Sequence, residues 1–420
     1  MAGTPPETAT FGSVFRVGEF RALWLAQILS VAGDQLARVA LTILVYNRTD
    51  SAALSALTYA LTFLPDLAGG PLLSGLADRF PRRDLMVVAD LARVLLVALM
   101  AWPGMPLVPL CGLLVVVQLL ASPFNAARGA VLPTLLTGDE YVTGNAVMNI
   151  TYQTGQLAGY VVGGALVAFT GTSVALLIDA ATFLASALLV RFGLLHRPVP
   201  APEHTDAEAK PEGPGYWGSL AAGMRLVWSN LGLRALVGLA CLSAFYVTAE
   251  GLSVPYAHEL GGGAVTAGLL FAANPAGVSI GATLLTRLIP PTTRLRLLGP
   301  MAVACCAVLV ICAARPNLVV TLVVWLVCGA FGAYQTVASA AFVRAVPDSA
   351  RGQAFGLALT SMRVVQGLGI ALAGGLAQWL SPSLVVAVFG GVGTVVALIL
   401  AATWTRSQGL LAPANATAQA

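Results

Sequence analysis

Residues 74–106, SGLADRFPRRDLMVVADLARVLLVALMAWPGMP, hold the pattern that decides the fold. A loop with several arginines leads into an apolar run of about 20 residues, the length that crosses about 30 Å of hydrocarbon. The run ends in a short uncharged turn. The same order of basic loop, apolar run and uncharged loop continues along the chain in both directions. We therefore predict an all-α, polytopic membrane protein with twelve transmembrane helices.

The composition agrees with a membrane location. The chain has 420 residues, of which 58% are hydrophobic and only 10% are charged, whereas a soluble protein carries far more charge. The net charge of +4 does not indicate nucleic-acid binding, because the basic residues are spread over many loops. No cluster of histidine, cysteine and acidic residues has ligand spacing, so we expect no metal and no cofactor.

The basic residues divide the loops into two classes. Of the 22 Lys and Arg residues, Arg48 and Arg315 fall in one class of loop, and Arg38, Arg93 and Arg363 fall inside apolar runs. The other 17 fall in the second class of loop. Basic loops stay on the cytoplasmic side during insertion. We therefore expect a multi-pass protein of the cell membrane with both termini in the cytoplasm.

A polar, proline-rich break divides the chain into two similar halves. We predict a cytoplasmic tail, a six-helix bundle, a cytoplasmic linker with an interfacial helix, a second six-helix bundle and a C-terminal tail, over residues 1–19, 20–194, 195–232, 233–404 and 405–420. Pro65 and Pro275 occupy similar places in the two halves, as do Gly163 and Gly374. Parallel six-helix repeats are a transporter architecture, so we predict two bundles in a pseudo-twofold arrangement.

Four acidic residues fall inside predicted helices, where an ionised group costs roughly 2.5–3.5 kcal/mol to insert. They are Asp34, Asp66, Asp179 and Glu250. Asp34 lies one helical turn before Arg38, and Glu250 lies near the equivalent place in the second half. We expect both acids to line a central cavity and to exchange protons there. The proton-coupling candidates are Asp34, Glu250, Arg38 and Asp66.

Each of these acids also has a purely structural interpretation. Asp34 could form a permanent ion pair with Arg38, and Glu250 could be a solvated acid at the rim of its helix. Asp66 could cap the helix kink that the preceding proline introduces. Asp179 could serve only at a helix interface.

The candidates for a substrate cavity come from helical placement alone. They are Tyr59, Tyr152, Phe245, Tyr246 and Arg363. Aromatic walls favour apolar, ring-bearing cargo. Arg363 would either pair with an acid on another helix or meet an anionic substrate.

A stripe of glycines runs along the fifth predicted helix. Gly155, Gly159 and Gly163 recur at spacings of four, and Gly164 directly follows Gly163. Small residues let helices approach closely. The stripe serves either close packing alone or packing that changes between two states.

The loop between the second and third predicted helices resembles the signature of the Major Facilitator Superfamily, Gly-x-Leu-Ala-Asp-Arg-x-Gly-Arg-Arg/Lys. The matching residues are Leu76, Ala77, Asp78, Arg79, Arg82 and Arg83, whereas Ser74 and Pro81 replace the two glycines. The resemblance implies a gating loop of Asp78, Arg79, Arg82 and Arg83. In that role, a contact formed in only one state of the transport cycle latches that state.

Two further segments carry the resemblance. The run from Gly155 to Gly164 is similar to the antiporter motif of the superfamily, with Tyr160 where proline is usual. Residues 122–128, SPFNAAR, followed by Leu132 and Pro133, are similar to the branch that holds bacterial macrolide and siderophore exporters.

The resemblance implies a secondary transporter rather than an enzyme. It would export a small amphipathic or drug-like molecule by proton antiport and alternating access. The chain has no Gly-x-x-x-x-Gly-Lys-Ser/Thr motif, so the energy would come from an ion gradient. Its partners would be the substrate, protons and the lipid bilayer, and it would act as a monomer. The alternatives are an importer or facilitator of a small metabolite, a polytopic membrane enzyme and a non-transporting scaffold.

Overall fold

The computed structural model describes residues 11–63, 76–197, 224, 225, 227–347 and 351–416. Every regular element within these ranges is helical. The N-terminal half contains α1 (Gly18–Thr49), α2 (Ala52–Ala60), α3 (Arg82–Met100), α4 (Leu107–Leu135), α5 (Gly138–Thr170) and α6 (Thr172–Gly193). One-turn helices at Phe11–Val14 and Leu76–Arg79 precede α1 and α3.

The C-terminal half begins with a helix that is interrupted three times. This helix, α7, consists of Leu231–Cys241, Ser243–Tyr246, Thr248–Gly251 and Ser253–Glu259. It is followed by α8 (Ala264–Leu288), α9 (Pro291–Ala307, continued by a 3-10 helix over Val308–Ala314), α10 (Leu318–Gly332 and Tyr334–Ala345), α11 (Arg351–Leu376) and α12 (Pro382–Ala416).

Nine of the described helices are long and apolar enough to cross a membrane. They are α1, α4 and α6 to α12. The prediction of twelve crossings also counts α2, α3 and α5, which are not among these nine. The described part of α2 is only 9 residues long, and α3 carries Arg82, Arg83, Asp84, Asp90 and Arg93. The predicted all-α, polytopic membrane fold is confirmed.

Large apolar side chains cover the outside of the helices. Leu95, Val108, Phe169 and Leu372 are 67%, 84%, 85% and 68% exposed. A water-soluble protein rarely leaves so many large apolar side chains uncovered. Lipid tails are the solvent in which such a surface is stable.

Contacts between Cα atoms group the chain into two compact units. The first unit comprises Met1–Leu41 and Pro65–His204, and the second comprises Thr42–Leu64 and Thr205–Ala420. One boundary falls within α1, and α2 groups with the C-terminal half. The bundle limits of 20–194 and 233–404 stay a prediction.

The first unit packs around a core at one end of its helices. Phe20 and Leu23 of α1, Met86 of α3, Phe124 of α4 and Val190 of α6 belong to this core and are at most 2% exposed. Within the unit, α3 packs against both α4 and α6. These contacts turn one side of α3 toward α6. The buried charged residues of α3 lie on that side.

The second unit depends on close backbone contacts between α8 and α10. A Cβ atom added at Gly277 or Gly281 would overlap backbone atoms of Leu326 and Ala330, and one added at Gly329 would overlap the carbonyl oxygen of Asn274. Any side chain at these positions would push the two helices apart. Glycine is the residue that permits such an approach.

The predicted linker over 195–232 lies only partly within the described residues. Residues 224, 225 and 227–229 are helical, with Val227 buried and Trp228 63% exposed. This exposure suits a helix at the membrane surface, but the interfacial helix stays a prediction.

Candidate functional site

The first unit contains a buried ion pair on α3. Asp90 Oδ1 lies 3.7 Å from Arg93 Nη1, and the two residues are 0% and 1% exposed. Ser186 of α6 donates a hydrogen bond from Oγ to Asp90 Oδ2 at 2.7 Å. The Arg93 guanidinium also lies 4.9 Å from the centroid of the Phe183 ring. Buried charges are costly to keep, and a cluster of them is a candidate for a functional site.

Two further carboxyl groups interact with this pair. Asp34 of α1 and Asp179 of α6 each interact electrostatically with the Arg93 guanidinium, and Asp34 also acts on Asp179. Asp179 is 1% exposed, and Thr182 Oγ1 donates to its backbone carbonyl at 2.8 Å. Asp34 is only partly buried. Arg93 is therefore the cation shared by three carboxyl groups from three helices.

A glycine on α1 permits this meeting of α1 and α6. A Cβ atom added at Gly33 would overlap Asp179 Oδ1 and Thr182 Oγ1. The backbone of α1 therefore lies directly against the Asp179 carboxyl group. A larger residue at position 33 would separate Asp34 from the other two acids.

The predicted glycine stripe of α5 packs against the opposite side of α1. A Cβ atom added at Gly159 would lie 2.9 Å from the carbonyl oxygen of Ala32, and one at Gly163 would lie 3.1 Å from Leu36 Cα. A Cβ atom added at Gly155 would lie 3.3 Å from Val31 Cγ1. Gly164 is also buried. The stripe therefore helps to position the part of α1 that carries Asp34.

The predicted partner of Asp34, Arg38, also contacts α5. Its Nη1 donates to Tyr160 Oη at 3.3 Å, and Tyr160 is 0% exposed. Arg38 interacts electrostatically with Asp34 as well. The structure thus brings Asp34 and Arg38 together and adds Tyr160, Asp90, Arg93 and Asp179 to them.

The charge cluster of Asp34, Arg38, Asp90, Arg93 and Asp179 has one more acid than base. With every group ionised, its net charge is −1. One added proton would make it neutral.

The second unit holds the other predicted acid in a buried contact. Tyr59 of α2 donates from Oη to Glu250 Oε2 at 2.6 Å. Tyr59 is 0% exposed and Glu250 is 7% exposed, so Glu250 is not the solvated rim acid of the structural interpretation. The Tyr59 ring also packs against Phe63 and Phe271, at 5.5 and 5.4 Å between centroids.

Hydroxyl groups accompany the interruptions of α7 around Glu250. Ser243 Oγ donates to the carbonyl of Ala240 at 2.8 Å, and Thr248 Oγ1 donates to that of Phe245 at 2.7 Å. Such bonds compete with the helical ladder and bend helices. Glu250 lies between the interruptions at Val247 and Leu252, at a place where the helix geometry is already irregular.

The remaining cavity candidates lie in several different environments. Arg363 lies over the Phe63 ring, 5.5 Å from its centroid. Tyr246 is 6% exposed and accepts a hydrogen bond from Gln335 Nε2 at 3.1 Å. Phe245 packs against Phe389, with 6.4 Å between ring centroids. Tyr152, in the first unit, is 38% exposed. Asp66 lies outside the described residues.

Comparison with known proteins decides the family. A family model described as the Major Facilitator Superfamily matches residues 23–331. The chain belongs to this superfamily.

Two sequence relatives are superfamily transporters of bacteria. The chain is 28% identical over 272 residues to the uncharacterized MFS-type transporter YvqJ of Bacillus subtilis, over 61% of this chain and 62% of YvqJ. It is 30% identical over 247 residues to the multidrug efflux pump Tap of Mycobacterium tuberculosis, over 55% of this chain and 56% of Tap. The matches thus span less than two thirds of either relative.

Solved structures share the fold across almost the whole chain. The nucleoside transporter NupG has a TM-score of 0.73 at 14% identity, covering 92% of this chain and 99% of that one. A bacterial homologue of the human lysosomal transporter Spinster has a TM-score of 0.68 at 14% identity, covering 96% of this chain and 99% of that one. These likenesses establish a superfamily fold and no substrate.

The signature loop of the superfamily connects several helices of the first unit. Arg82 Nη1 donates to the carbonyl of Ala130 in α4 at 2.8 Å. Arg83 Nε contacts Asp84 Oδ1 at 3.0 Å, and Arg83 Nη2 lies 3.3 Å from His196 Nδ1, beyond the end of α6. Arg79 is exposed. Asp78 is helical, and its side chain is outside what the structure describes.

The sequence analysis did not predict that Asp90, Arg93 and Asp179 form one charge cluster in this superfamily member. Asp90 and Arg93 are three residues apart on one helix, which is a signal of an ion pair. No such signal connects Asp179 to them, because it lies on another helix. The packing of α3 against α6 brings Asp179 to this pair, and the close contact at Gly33 brings α1, with Asp34, against Asp179.

Proposed function

We propose that the protein is a secondary active exporter of small amphipathic molecules that works by proton antiport and alternating access. The observation that carries this proposal is the group of three carboxyl groups around Arg93, contributed by α1, α3 and α6. A transporter without nucleotide-binding motifs must take its energy from an ion gradient. A site that is neutral with one proton and charged without it is suited to such a task.

Asp34 is the carboxyl group through which protons would enter and leave the charge cluster. It is partly exposed, whereas Asp90 and Asp179 are at most 1% exposed. Asp90 is also engaged by Arg93 and by Ser186. Asp34 is therefore the least buried of the three acidic residues in the cluster.

Glu250 would act at a second site, which holds α2 against α7 in one state of the cycle. Its bond to Tyr59 is charge-assisted when Glu250 is ionised, and such bonds contribute about 1.5–3 kcal/mol. Packing against a second helix also holds α2 in place, because Gly374 of α11 lies against Ala53 and Ala56 of α2. Breaking this contact would be one step of alternating access.

The proposed cargo and the proposed direction of transport rest on a sequence relative and on the sequence itself. They do not rest on the geometry of the site. Tap, which matches 55% of this chain, is named as a multidrug efflux pump. Tyr152, Phe245 and Arg363 are the candidates for contact with cargo, because each is partly or fully exposed. We further propose a monomer with both termini in the cytoplasm, with Asp78, Arg79, Arg82 and Arg83 as the gating loop.

Inverted membrane vesicles test the proposal directly. An acid-inside gradient is imposed and followed with a pH-sensitive dye, and lipophilic cations, macrolides and siderophores are added in turn. An antiporter dissipates the gradient when its substrate is added, whereas a facilitator, an enzyme or a scaffold does not. A lack of response to every compound, with the protein folded in the vesicles, would count against proton-driven export of these classes.

Replacing Tyr59 with phenylalanine is expected to weaken the contact between α2 and α7. The loss of about 2 kcal/mol for a hydrogen bond to a charged group shifts the equilibrium about thirtyfold. A single cysteine at Ser51, in a variant without the natural cysteines, should then react much faster with a membrane-impermeant thiol reagent. Tyr46→Phe is the matched control, because the Tyr46 ring packs against the His258 ring at a tilt and keeps that contact without its hydroxyl. Equal labelling rates in both variants would remove the gating role of Tyr59.

A further inference from the structure

A cavity of about 520 Å³ lies among α7, α8, α9, α10 and α12 in the second unit. It is separate from the charge cluster and from the Tyr59–Glu250 contact. Two arginines, Arg294 and Arg344, line it, and no acidic residue does. The helix ends around it also carry Arg234, Arg287 and Arg406. By the positive-inside rule, the cavity therefore lies at the cytoplasmic face.

Arg294 is held in place by the end of α8. Its Nε donates to the carbonyl of Ile289 and its Nη2 to that of Thr286, both at 2.7 Å. These bonds satisfy carbonyls at a helix C-terminus, where a positive charge is also favourable. The guanidinium is fixed at the cavity with its Nη1 donors left for another acceptor.

Arg344 supplies a second and freer cation. It lies in the last turn of α10 and its side chain is exposed. None of the hydrogen bonds and ion pairs found among the described residues involves it. Two guanidinium groups without a facing carboxylate favour an anion.

The inner wall of the cavity is apolar. Leu233, Leu236 and Leu285 line it and are at most 3% exposed. Trp404 also lines it, and its Nε1 donates to the carbonyl of Leu295 at 3.3 Å. The cavity therefore combines a cationic mouth with a hydrocarbon-like interior. A purely hydrophilic anion would not use the interior, and a neutral lipid would not use the arginines.

We propose that this cavity binds an anionic phospholipid of the cytoplasmic leaflet. The phosphate contacts Arg344 and Arg294, and part of an acyl chain lies against the leucines and Trp404. Basic pockets between transmembrane helices on this side of a membrane suit anionic headgroups. Because α7 and α10 both border the cavity, the bound lipid would brace the end of the unit that carries the interrupted helix.

Tryptophan quenching by brominated lipids tests the proposal in the full-length protein. Vesicles of phosphatidylcholine receive increasing fractions of phosphatidylglycerol, with bromine on the acyl chains of one lipid or the other. We expect brominated phosphatidylglycerol to quench more than brominated phosphatidylcholine at equal fractions. Trp404→Phe should remove this excess. Arg344→Gln should weaken phosphatidylglycerol binding about fivefold, the equivalent of roughly 1 kcal/mol per basic residue at an anionic surface.

Arg296→Gln is the matched control. Arg296 is exposed and directly follows Leu295, which lines the cavity, but Arg296 itself does not line it. Arg344→Lys should keep most of the excess quenching. Equal quenching by the two lipids in the unchanged protein would overturn the proposal. An equal loss in Arg296→Gln would do the same, because it would indicate diffuse surface charge. Removal of the excess by inorganic phosphate would assign the site to a soluble anion and overturn lipid binding.

Discussion

Replacing Asp34 with asparagine is expected to abolish uphill transport while leaving the protein folded in the membrane. Asparagine has nearly the same shape but cannot carry the proton. In the charge cluster, the change leaves two carboxyl groups beside Arg38 and Arg93, so the cluster is neutral without a proton. Electrostatic interactions within the cluster then no longer favour the binding of a proton by the variant. Passive movement of substrate down its own gradient should persist.

The expected size of the effect follows from the driving force. One proton that moves down 100 mV supplies about 2.3 kcal/mol, which sustains a substrate ratio of roughly fiftyfold across the membrane. Loss of coupling reduces that ratio to one. The measurement is the steady-state accumulation of substrate in inverted vesicles, with a pH-sensitive dye to follow the protons.

Asp139→Asn is the control for this experiment, because Asp139 is an exposed acid in the first turn of α5. It should accumulate substrate as the unchanged protein does. Asp179→Asn tests whether the cluster acts as a unit, and it should lose coupling as well. Normal accumulation in Asp34→Asn would remove Asp34 from the coupling mechanism.

The second large effect is expected from Gly329→Ala, which should strongly destabilise the second unit. The new Cβ would overlap the carbonyl oxygen of Asn274 in α8. Because the obstacle is backbone, no side chain can rotate away, and α8 and α10 must separate. Overpacking of a tight core typically costs 1–3 kcal/mol, and we expect about 3 kcal/mol here. Thermal unfolding in detergent, followed by loss of the monodisperse peak, measures it.

Gly391→Ala provides a close comparison within α12. A Cβ atom at Gly391 meets no heavy atom within 4 Å. Glycine in a helix interior is less favourable than alanine by about 0.5–1 kcal/mol, so this variant should be as stable as the unchanged protein or slightly more so. Equal unfolding temperatures for the two variants would show that α8 and α10 are less tightly packed than the structure indicates.

The membrane fold could be predicted because it depends on local properties of the sequence. Apolar runs over residues 20–46 and 172–194 are visible in the sequence, and the structure forms Gly18–Thr49 and Thr172–Gly193 at these places. Hydrophobic runs of sufficient length form helices wherever they lie in the chain, because a bilayer leaves backbone groups no other partner. The interruptions of α7 were not predicted, since hydroxyl residues such as Ser243 and Thr248 are compatible with an unbroken helix.

The candidate site could be predicted only one helix at a time. Asp34 and Arg38 share one face of α1, so their association follows from helical spacing. The association of Asp34 with Asp179 depends on the rotation of α1 and α6 about their axes. Gly33 sets that rotation, and its significance becomes visible only when its neighbour is known.

The continuity of α1 has a mechanical consequence. Asp34 and Leu23 lie on the same unbroken helix, 11 residues apart in the sequence, which corresponds to about 16 Å along its axis. No interruption of the helix separates the carboxyl group that we propose to bind the proton from the buried core around Leu23. A rigid helix transmits a tilt or a rotation over its whole length. If protonation of Asp34 tilts or rotates α1, the packing around Leu23 must therefore change as well.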